Sequence, residues 1–380
     1  MRGSTFWFLL FGLVFRITAA SAPPSFSDDL YRYRWEGKLQ TAGGNPYLAR
    51  PVDPEWSHLR DRTFDRVALP DFKGGYGPLW MLAERGTYEL VSRLTSDPER
   101  QVFLFKMPAV LAELILLLVM PALLAAWHRP SWGVLLYAWN PLLIFEFWAE
   151  GHNDAWPVLA VGLAFLAAAK NRWSLAFLSL SLGVAAKYWP ILLLLPFAGW
   201  RERRWQALLV FPVMALCFAP FWTNLLDNAR FMTGFVGGWR NNDALFGAVF
   251  WATGNGNRAK DSTFLVIGAL ILAVTWRRWP LPEGALAILA GTLLLSSNIH
   301  PWYLTWYTPL LSLVPCAPLL LWQGLIPLAY AVRIDWELLH EWIPVRPERW
   351  WIHAPVLGWL AWKGLVRILG RRRPVSRTAP

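Results

Sequence analysis

Between residues 102 and 222 the chain is a succession of apolar runs interrupted only by short polar breaks, such as Glu150–Asp154, Lys170–Arg172 and Arg201–Arg204. A run of about 20 apolar residues is either buried in a large core or dissolved in lipid. Similar runs lie at 4–22, 262–276, 284–297, 303–321, 323–334 and 351–369. With 56% hydrophobic and only 16% charged residues, the chain lacks the polar surface that would keep so much apolar mass in water. This excludes a disordered chain, a disulfide scaffold and an ordinary soluble enzyme. A polytopic membrane protein remains, and the 27 Trp fit side chains seated at headgroup level. Cys217 and Cys316 both sit inside apolar runs and read as small packing residues.

The central region divides into runs at 102–126, 133–149, 155–169, 173–199 and 206–222. The run 173–199 is too long for one crossing, carries Lys187 and Pro190 at its centre, and is basic at both ends. It predicts a hairpin of two short helices turning near Lys187. The expected architecture is an all-α transmembrane bundle of about twelve spans. The net charge of +11 does not point to nucleic acid, because the basic residues abut apolar runs: Arg129, Lys170 and Arg172, Arg201, Arg203 and Arg204, Arg277 and Arg278, Arg371–Arg373. That placement puts these loops and both termini in the cytoplasm. The segment 1–22 also resembles a signal peptide, with Arg2, an apolar core and Ala20-Ser21-Ala22, although Arg16 is unusual for one. Either way, residue 23 onward lies outside.

Five regions follow: a first transmembrane helix (1–22), a long extracytoplasmic loop (23–101), a core transmembrane module (102–222), a second outer loop (223–261) and a C-terminal module with a basic cytoplasmic tail (262–380). Within the first loop, Leu79–Leu94 reads as an interfacial amphipathic helix, with Trp80, Leu82, Tyr88, Val91 and Leu94 set among Glu84, Arg85, Glu89 and Arg93. The polar clusters all emerge on the outer side: Asp28-Asp29, Gly75-Tyr76-Gly77-Pro78, Glu150-Gly151-His152-Asn153-Asp154, Lys187-Tyr188, Trp239-Arg240-Asn241-Asn242-Asp243, Asn298-Ile299-His300 and Asp335-Trp336-Glu337. Such convergence predicts a cavity open to the outside.

The stretch Asp28-Asp29-Leu30-Tyr31-Arg32-Tyr33-Arg34-Trp35-Glu36-Gly37, followed by Ala42-Gly43-Gly44-Asn45-Pro46-Tyr47, resembles the first outer loop of bacterial integral-membrane glycosyltransferases of the C-type (GT-C) superfamily, which use polyprenyl-phosphate sugars. The mannosyltransferase-like glycosyltransferase family eighty-seven is the most similar group. The resemblance continues through Tyr76-Gly77-Pro78-Leu79, Gly151-His152-Asn153-Asp154, Ala186-Lys187-Tyr188-Trp189-Pro190 and His300-Pro301-Trp302-Tyr303. The pattern departs from that group at Gly77, where Pro is usual, and at Glu36, where Asp is common. The resemblance implies that one Asp of the pair is the catalytic base, and that neither a metal nor a cofactor takes part.

Sugar transfer from a lipid phosphate needs a base for the acceptor hydroxyl, cations or donors for the departing phosphate, and an apolar groove for the lipid tail. Asp28 and Asp29 supply the carboxylate, with Asp28 preferred; the alternative is a helix stop at the water boundary, and the resemblance favours the functional reading. Lys187, in apolar context, is a candidate for the donor phosphate or a snorkelling side chain. Arg240 and His300 are further phosphate candidates, although Arg240 also reads as a solvated loop charge and His300 as a helix-capping residue. His152, Asn153 and Asp154 are candidates for sugar hydroxyls, and Asp154 also fits a helix N-cap. Tyr31, Trp35, Tyr76, Trp302 and Tyr303 are sugar-stacking or acceptor-binding candidates, as is Trp189; each also reads as packing. Glu113 and Glu146, inside spans, are expected to pair with Arg16, Lys106 or a helix neighbour.

The expected activity is hexosyl transfer, mannose first, from a polyprenyl-phosphate donor to a lipid-linked or glycan acceptor. It would run by inverting single displacement at the outer face of the bacterial cytoplasmic membrane. Membrane lipids, donor and acceptor are the expected partners. The rival reading, a transporter or lipid flippase, fits the span count but lacks repeat-related broken helices in both halves.

Overall fold

The computed structural model describes residues 2–199, 202–224, 239–339, 343 and 345–371. The side chains of Asp335, Trp336 and Glu337, most of the second outer loop, Arg201, Arg372 and Arg373 lie outside the described residues. Among the described residues the protein is all-helical, with a single isolated bridge between Asn241 and Asn298. Four helices are long and apolar enough to cross a membrane: Pro98–Ala126, Arg204–Trp222, Gly256–Trp276 and Ala317–Ile334. Shorter apolar helices lie at Ser4–Ala20, Gly133–Ala149, Ala155–Ala169, Trp173–Ala186, Trp189–Ala198 and Leu281–Leu295.

Several apolar runs are broken, at 173–199 near Lys187 as the sequence predicts and elsewhere within runs expected as single spans. The 133–149 run stops at Asn140. The Asn140 side chain caps the next turn by accepting from the amides of Leu142 (3.0 Å) and Leu143 (3.3 Å). A π-helical turn, Ile144–Ala149, follows; such turns recur at functional positions. The 173–199 run ends its first helix at Ala186, Lys187 is extended (φ −156°, ψ 130°), and a 3₁₀ turn (Trp189–Leu193) restarts it. The expected boundary between 321 and 323 lies instead at Val314–Cys316, because Ala317–Leu325 is one helix.

The first helix, Arg2–Ala20, is fixed to the bundle by a charge in an apolar run. Arg16 is fully buried and donates from Nη2 (2.6 Å) and Nε (2.8 Å) to the Glu113 carboxylate. Its Nη1 donates to the carbonyls of Ala138 (2.6 Å) and Gly12 (2.9 Å), and Trp148 Nε1 donates to Glu113 (2.7 Å). Gly12 is required there, since a Cβ would sit 2.8 Å from the Ala138 carbonyl oxygen. Every strong donor of the guanidinium is matched, which is the condition for burying an ion pair. Glu113 therefore finds one of its expected partners. Glu146 does not: it meets His152 and Tyr330, while Lys106 caps the carbonyls of Ala20 and Ala22.

The 23–101 segment is organised around a helix absent from the sequence reading, Asp29–Thr41, packed on Pro78–Leu94. The crossing is close enough that a Cβ on Gly37 would lie 2.4 Å from the Glu84 carbonyl oxygen. The Asp29–Thr41 helix carries no apolar stripe. Its buried arginines hold the surrounding loop instead. Arg32 donates to the carbonyls of Leu69 and Phe72 (each 2.8 Å) and to Glu36 (2.5 Å), and Arg34 reaches Asp61 (2.8 Å) and Gln101 (2.9 Å). The expected interfacial helix is present, but Trp80 and Val91 pack inward, and so does Glu84, assigned by sequence to its polar face. Glu84 lies beside Glu36; burial first, then the Glu36 charge, pushes its carboxyl pKa well above the usual carboxylate range.

Candidate active site

The Asp pair is delivered by Glu150. Its carboxylate accepts the amide hydrogens of Ser25 (3.0 Å), Phe26 (3.1 Å) and Ser27 (3.0 Å), so the strand entering the Asp29–Thr41 helix is tied to the 150–154 turn. Gly151 makes that turn with φ +71°, and a Cβ there would press Leu30 and Lys106 at 3.0–3.1 Å. The two neighbouring acids then diverge.

Asp28 is clamped. Arg333 donates to it from Nη1 (2.6 Å) and Nη2 (3.1 Å), and Arg66 Nη2 approaches at 3.4 Å. Arg66 also lies over the Tyr31 ring, 4.1 Å from its centroid, and donates to its hydroxyl. Asp29 takes a hydrogen bond from the Tyr33 hydroxyl (3.1 Å) and faces His152 Nε2 at 3.9 Å. Tyr33 in turn stands edge-on to Tyr76, at 5.2 Å between centroids.

His152 is fully buried and held from behind. Its Nδ1 lies 3.0 Å from the Glu146 carboxylate, which also accepts from the Tyr330 hydroxyl at 2.9 and 3.0 Å. One face of the imidazole stacks on Trp302 (4.1 Å, 17°), whose own ring stacks on His300 (4.4 Å, 10°). His300 Nδ1 lies 3.3 Å from Asn241 Nδ2. Burial, with the charges of His152 and Lys187, lowers the His300 pKa to about 3, so it is a neutral ring and not a cation at physiological pH.

Lys187 joins the same cluster. Its Nζ donates to Asp154 (2.6 Å) and Asn153 (3.0 Å) and lies 5.4 Å from the Tyr303 ring centroid. The other oxygen of Asp154 accepts from Trp306 Nε1 (2.6 Å). Asp154 occupies the N-cap position of the Ala155–Ala169 helix, yet its side chain makes no capping bond, so the capping reading fails. Trp189 stacks on Trp306 at 5.0 Å.

Asp28, Asp29, Tyr76, His152, Asn153, Asp154, Lys187, His300, Trp302 and Tyr303 are thus linked by contact through their neighbours. Tyr31 is buried beneath Arg66, at the Asp28 side. Two sequence candidates are directed elsewhere. Trp35 is buried against Phe64 inside the loop (5.1 Å). Arg240 is turned onto Asp243 (2.6 Å) and the Phe250 ring (4.4 Å), and it is Asn241 that reaches His300. Sequence reasoning missed Arg66, Arg333, Glu146 and Glu150 as parts of the site. Arg333 had a signal, as a cation at the end of the apolar run 323–334; Arg66 had none. Among the described residues, no group of three or more His, Cys, Asp or Glu is arranged to hold a metal ion.

Residues 4–204 match a family model described as alpha-(1->6)-mannopyranosyltransferase, N-terminal domain. The matched region contains the Asp pair, the 146–154 turn and Lys187. No curated protein and no solved structure matches the chain.

Proposed function

The chain belongs to the alpha-(1->6)-mannopyranosyltransferase family, and from that premise we propose that it moves a mannosyl unit from a polyprenyl-phosphate donor to a hydroxyl of a lipid-linked or glycan acceptor. Membership makes it a mannosyltransferase-like membrane glycosyltransferase; the donor, the acceptor and the mechanism are our reading. The proposed setting is the bacterial cytoplasmic membrane, in a multi-pass GT-C-type bundle of about twelve spans with the site facing outward.

The observation that carries this reading is the different fate of two adjacent carboxylates. Asp28 is neutralised by Arg333 and approached by Arg66, and its oxygens are committed. Asp29 has a hydroxyl partner and a histidine beyond hydrogen-bond range. We assign Asp29 as the base and Asp28 as the residue that anchors the Arg333 end of the site. The acceptor oxygen forms its bond to the anomeric carbon while its proton passes to Asp29. The bond from that carbon to the phosphate oxygen breaks, and the electron pair leaves with the polyprenyl phosphate. One displacement inverts the anomeric centre.

Lys187 is the cation for the departing phosphate, exchanging Asp154 for the ligand as the donor binds. His300 contributes a neutral N–H rather than a charge. Arg240 assists only if it leaves Asp243, so its contribution is the smallest of the three. The test is transfer of labelled mannose by the purified protein in lipid, with polyprenyl-phosphate mannose and a nucleotide-activated mannose as alternative donors. Product from the lipid donor supports the reading; product only from the nucleotide donor, or uptake of free sugar without transfer, contradicts it.

A further inference from the structure

Ionisable groups buried in this bundle are matched with partners in most places, and His152 is an exception at the site. Its Nδ1 is committed to the Glu146 carboxylate, its ring face to Trp302, and its Nε2 makes no hydrogen bond although the side chain has no exposure to solvent. The polar atom faced by that orphaned nitrogen is Asp29 Oδ2, 3.9 Å away, within ion-pair range but beyond a hydrogen bond. In ligand-free sites catalytic contacts are often long and close only with substrate in place. An unmatched buried polar atom is costly, so an arrangement that leaves it facing a reacting group calls for an explanation.

We infer that Glu146 and His152 form a positioning pair that holds Asp29 in place and aims it at the acceptor hydroxyl. The inference rests on the assignment of Asp29 as base. The geometry supports it at each step. The π-helical turn Ile144–Ala149 carries Glu146 and leaves its backbone carbonyl free to accept the His152 amide (3.0 Å), which orients the turn. Glu146 fixes the ring orientation by accepting at Nδ1, leaving Nε2 directed at Asp29. Tyr330 donates to Glu146 from the opposite side, so the carboxylate cannot swing away. The Trp302 ring, wedged between His152 and His300, blocks rotation of the imidazole.

The charged groups around the ring are few and of known sign. Glu146 lies behind it, Asp29 ahead, and Glu150 beside it on the amides of residues 25–27. His300 lies beyond Trp302 and is neutral. Lys187 lies farther off and is balanced by Asp154. Burial works against a charged His152, but the Glu146 hydrogen bond and the charges of Glu146, Asp29 and Glu150 outweigh it and hold its pKa above the ordinary histidine value. A ring of that character facing Asp29 at 3.9 Å holds the carboxylate toward the reacting centre. The proton Asp29 gains in the transfer is shed to water once the products leave.

The experiment uses the full chain in lipid nanodiscs, as wild type, His152→Gln, Glu146→Gln and Asp29→Asn. In the transfer assay, His152→Gln is expected to lower kcat by about tenfold or more. KM for the donor stays within about twofold, because His152 acts on the base and not on donor binding. Glu146→Gln lowers kcat in the same direction by less. A kcat near wild type in His152→Gln would make His152 a mere packing partner of Trp302. A second readout is independent of activity: the imidazole nitrogen resonances of His152, identified by their loss in His152→Gln. Its pKa is expected to fall in both Glu146→Gln and Asp29→Asn. If it is unchanged in Asp29→Asn, the two groups are uncoupled and the inference is wrong. Failure of wild type to transfer mannose would count against the proposed function, while the resonance titration would still decide the coupling.

Discussion

Two buried clusters in this protein are built from the same parts and have opposite character. In the Arg16–Glu113 cluster the guanidinium meets two carboxylate oxygens and two carbonyls, and Trp148 completes the shell. In the Glu146–His152–Asp29 cluster the chain of contacts starts equally well matched at Tyr330 and Glu146, then ends in a 3.9 Å gap at Asp29. Both place a glutamate inside an apolar run opposite a cationic or cation-capable side chain. The first is closed on itself and fastens the first helix to the bundle. The second is open at one end, where the 27–29, 150–154, 187 and 300–303 segments come together. A buried charge whose partners are complete reads as architecture, whereas one that stops short of completion reads as chemistry.

This contrast can be broken by substitution. The largest effect is expected at Asp29. Asp29→Asn should reduce transfer by about 10²–10⁴-fold, the usual contribution of a general base, with little change in thermal stability, because the amide oxygen can still accept from the Tyr33 hydroxyl. Next comes the closed cluster. Glu113→Ala should cost on the order of 3–5 kcal/mol of stability, since it leaves Arg16 buried without a counter-ion. The double variant Arg16→Met, Glu113→Leu should recover most of that loss. Thermal unfolding in detergent measures both, and the residual activity per folded molecule should stay close to wild type. A double variant no more stable than Glu113→Ala would show that the ion pair is not the fastening element. Lys187→Met should raise the donor KM by about tenfold, as expected for loss of one charge-assisted phosphate contact, and should do so more strongly at low salt.

The smallest effect is a pH dependence in the outer loop. Glu84, buried beside Glu36, has a folded-state pKa well above its unfolded value. For an acid shifted upward, the native state binds the extra proton. The associated stability is complete below the unfolded pKa of about 4.3 and is lost as pH rises through the folded value. Glu84→Gln mimics the protonated acid, so it should flatten the decline above the unfolded pKa and leave the loop more stable at the upper end. Hydrogen exchange of the Asp29–Thr41 helix as a function of pH measures this. An unchanged slope would contradict the buried-acid assignment.

The all-helical character, the break at Lys187 and the convergence of most polar motifs were legible in the sequence, because apolar periodicity and charge placement are local properties. Asp28-Asp29, His152 and Lys187 stood out for a related reason, as polar residues at the edges of apolar runs. The Asp29–Thr41 helix was not legible. It is held by Arg32 and Arg34 reaching loop carbonyls and acids remote in sequence, and no stripe of apolar residues announces it. The clamp on Asp28 was hidden in the same way, since Arg333 and Asp28 are 305 positions apart. That clamp also reverses the sequence preference for Asp28 as base. Two adjacent identical side chains differ only in where the helix start points them, and that direction is a tertiary property.

The central claim is that the two aspartates have divided their roles, and it is tested most directly by comparing Asp28→Asn with Asp29→Asn in one transfer assay, both confirmed folded. The account predicts near-complete loss of kcat for Asp29→Asn. For Asp28→Asn it predicts a partial loss, about tenfold, accompanied by lower stability, since the two-pronged ion pair between Asp28 and Arg333 is weakened. Full activity in Asp29→Asn together with an inactive but stable Asp28→Asn would contradict it.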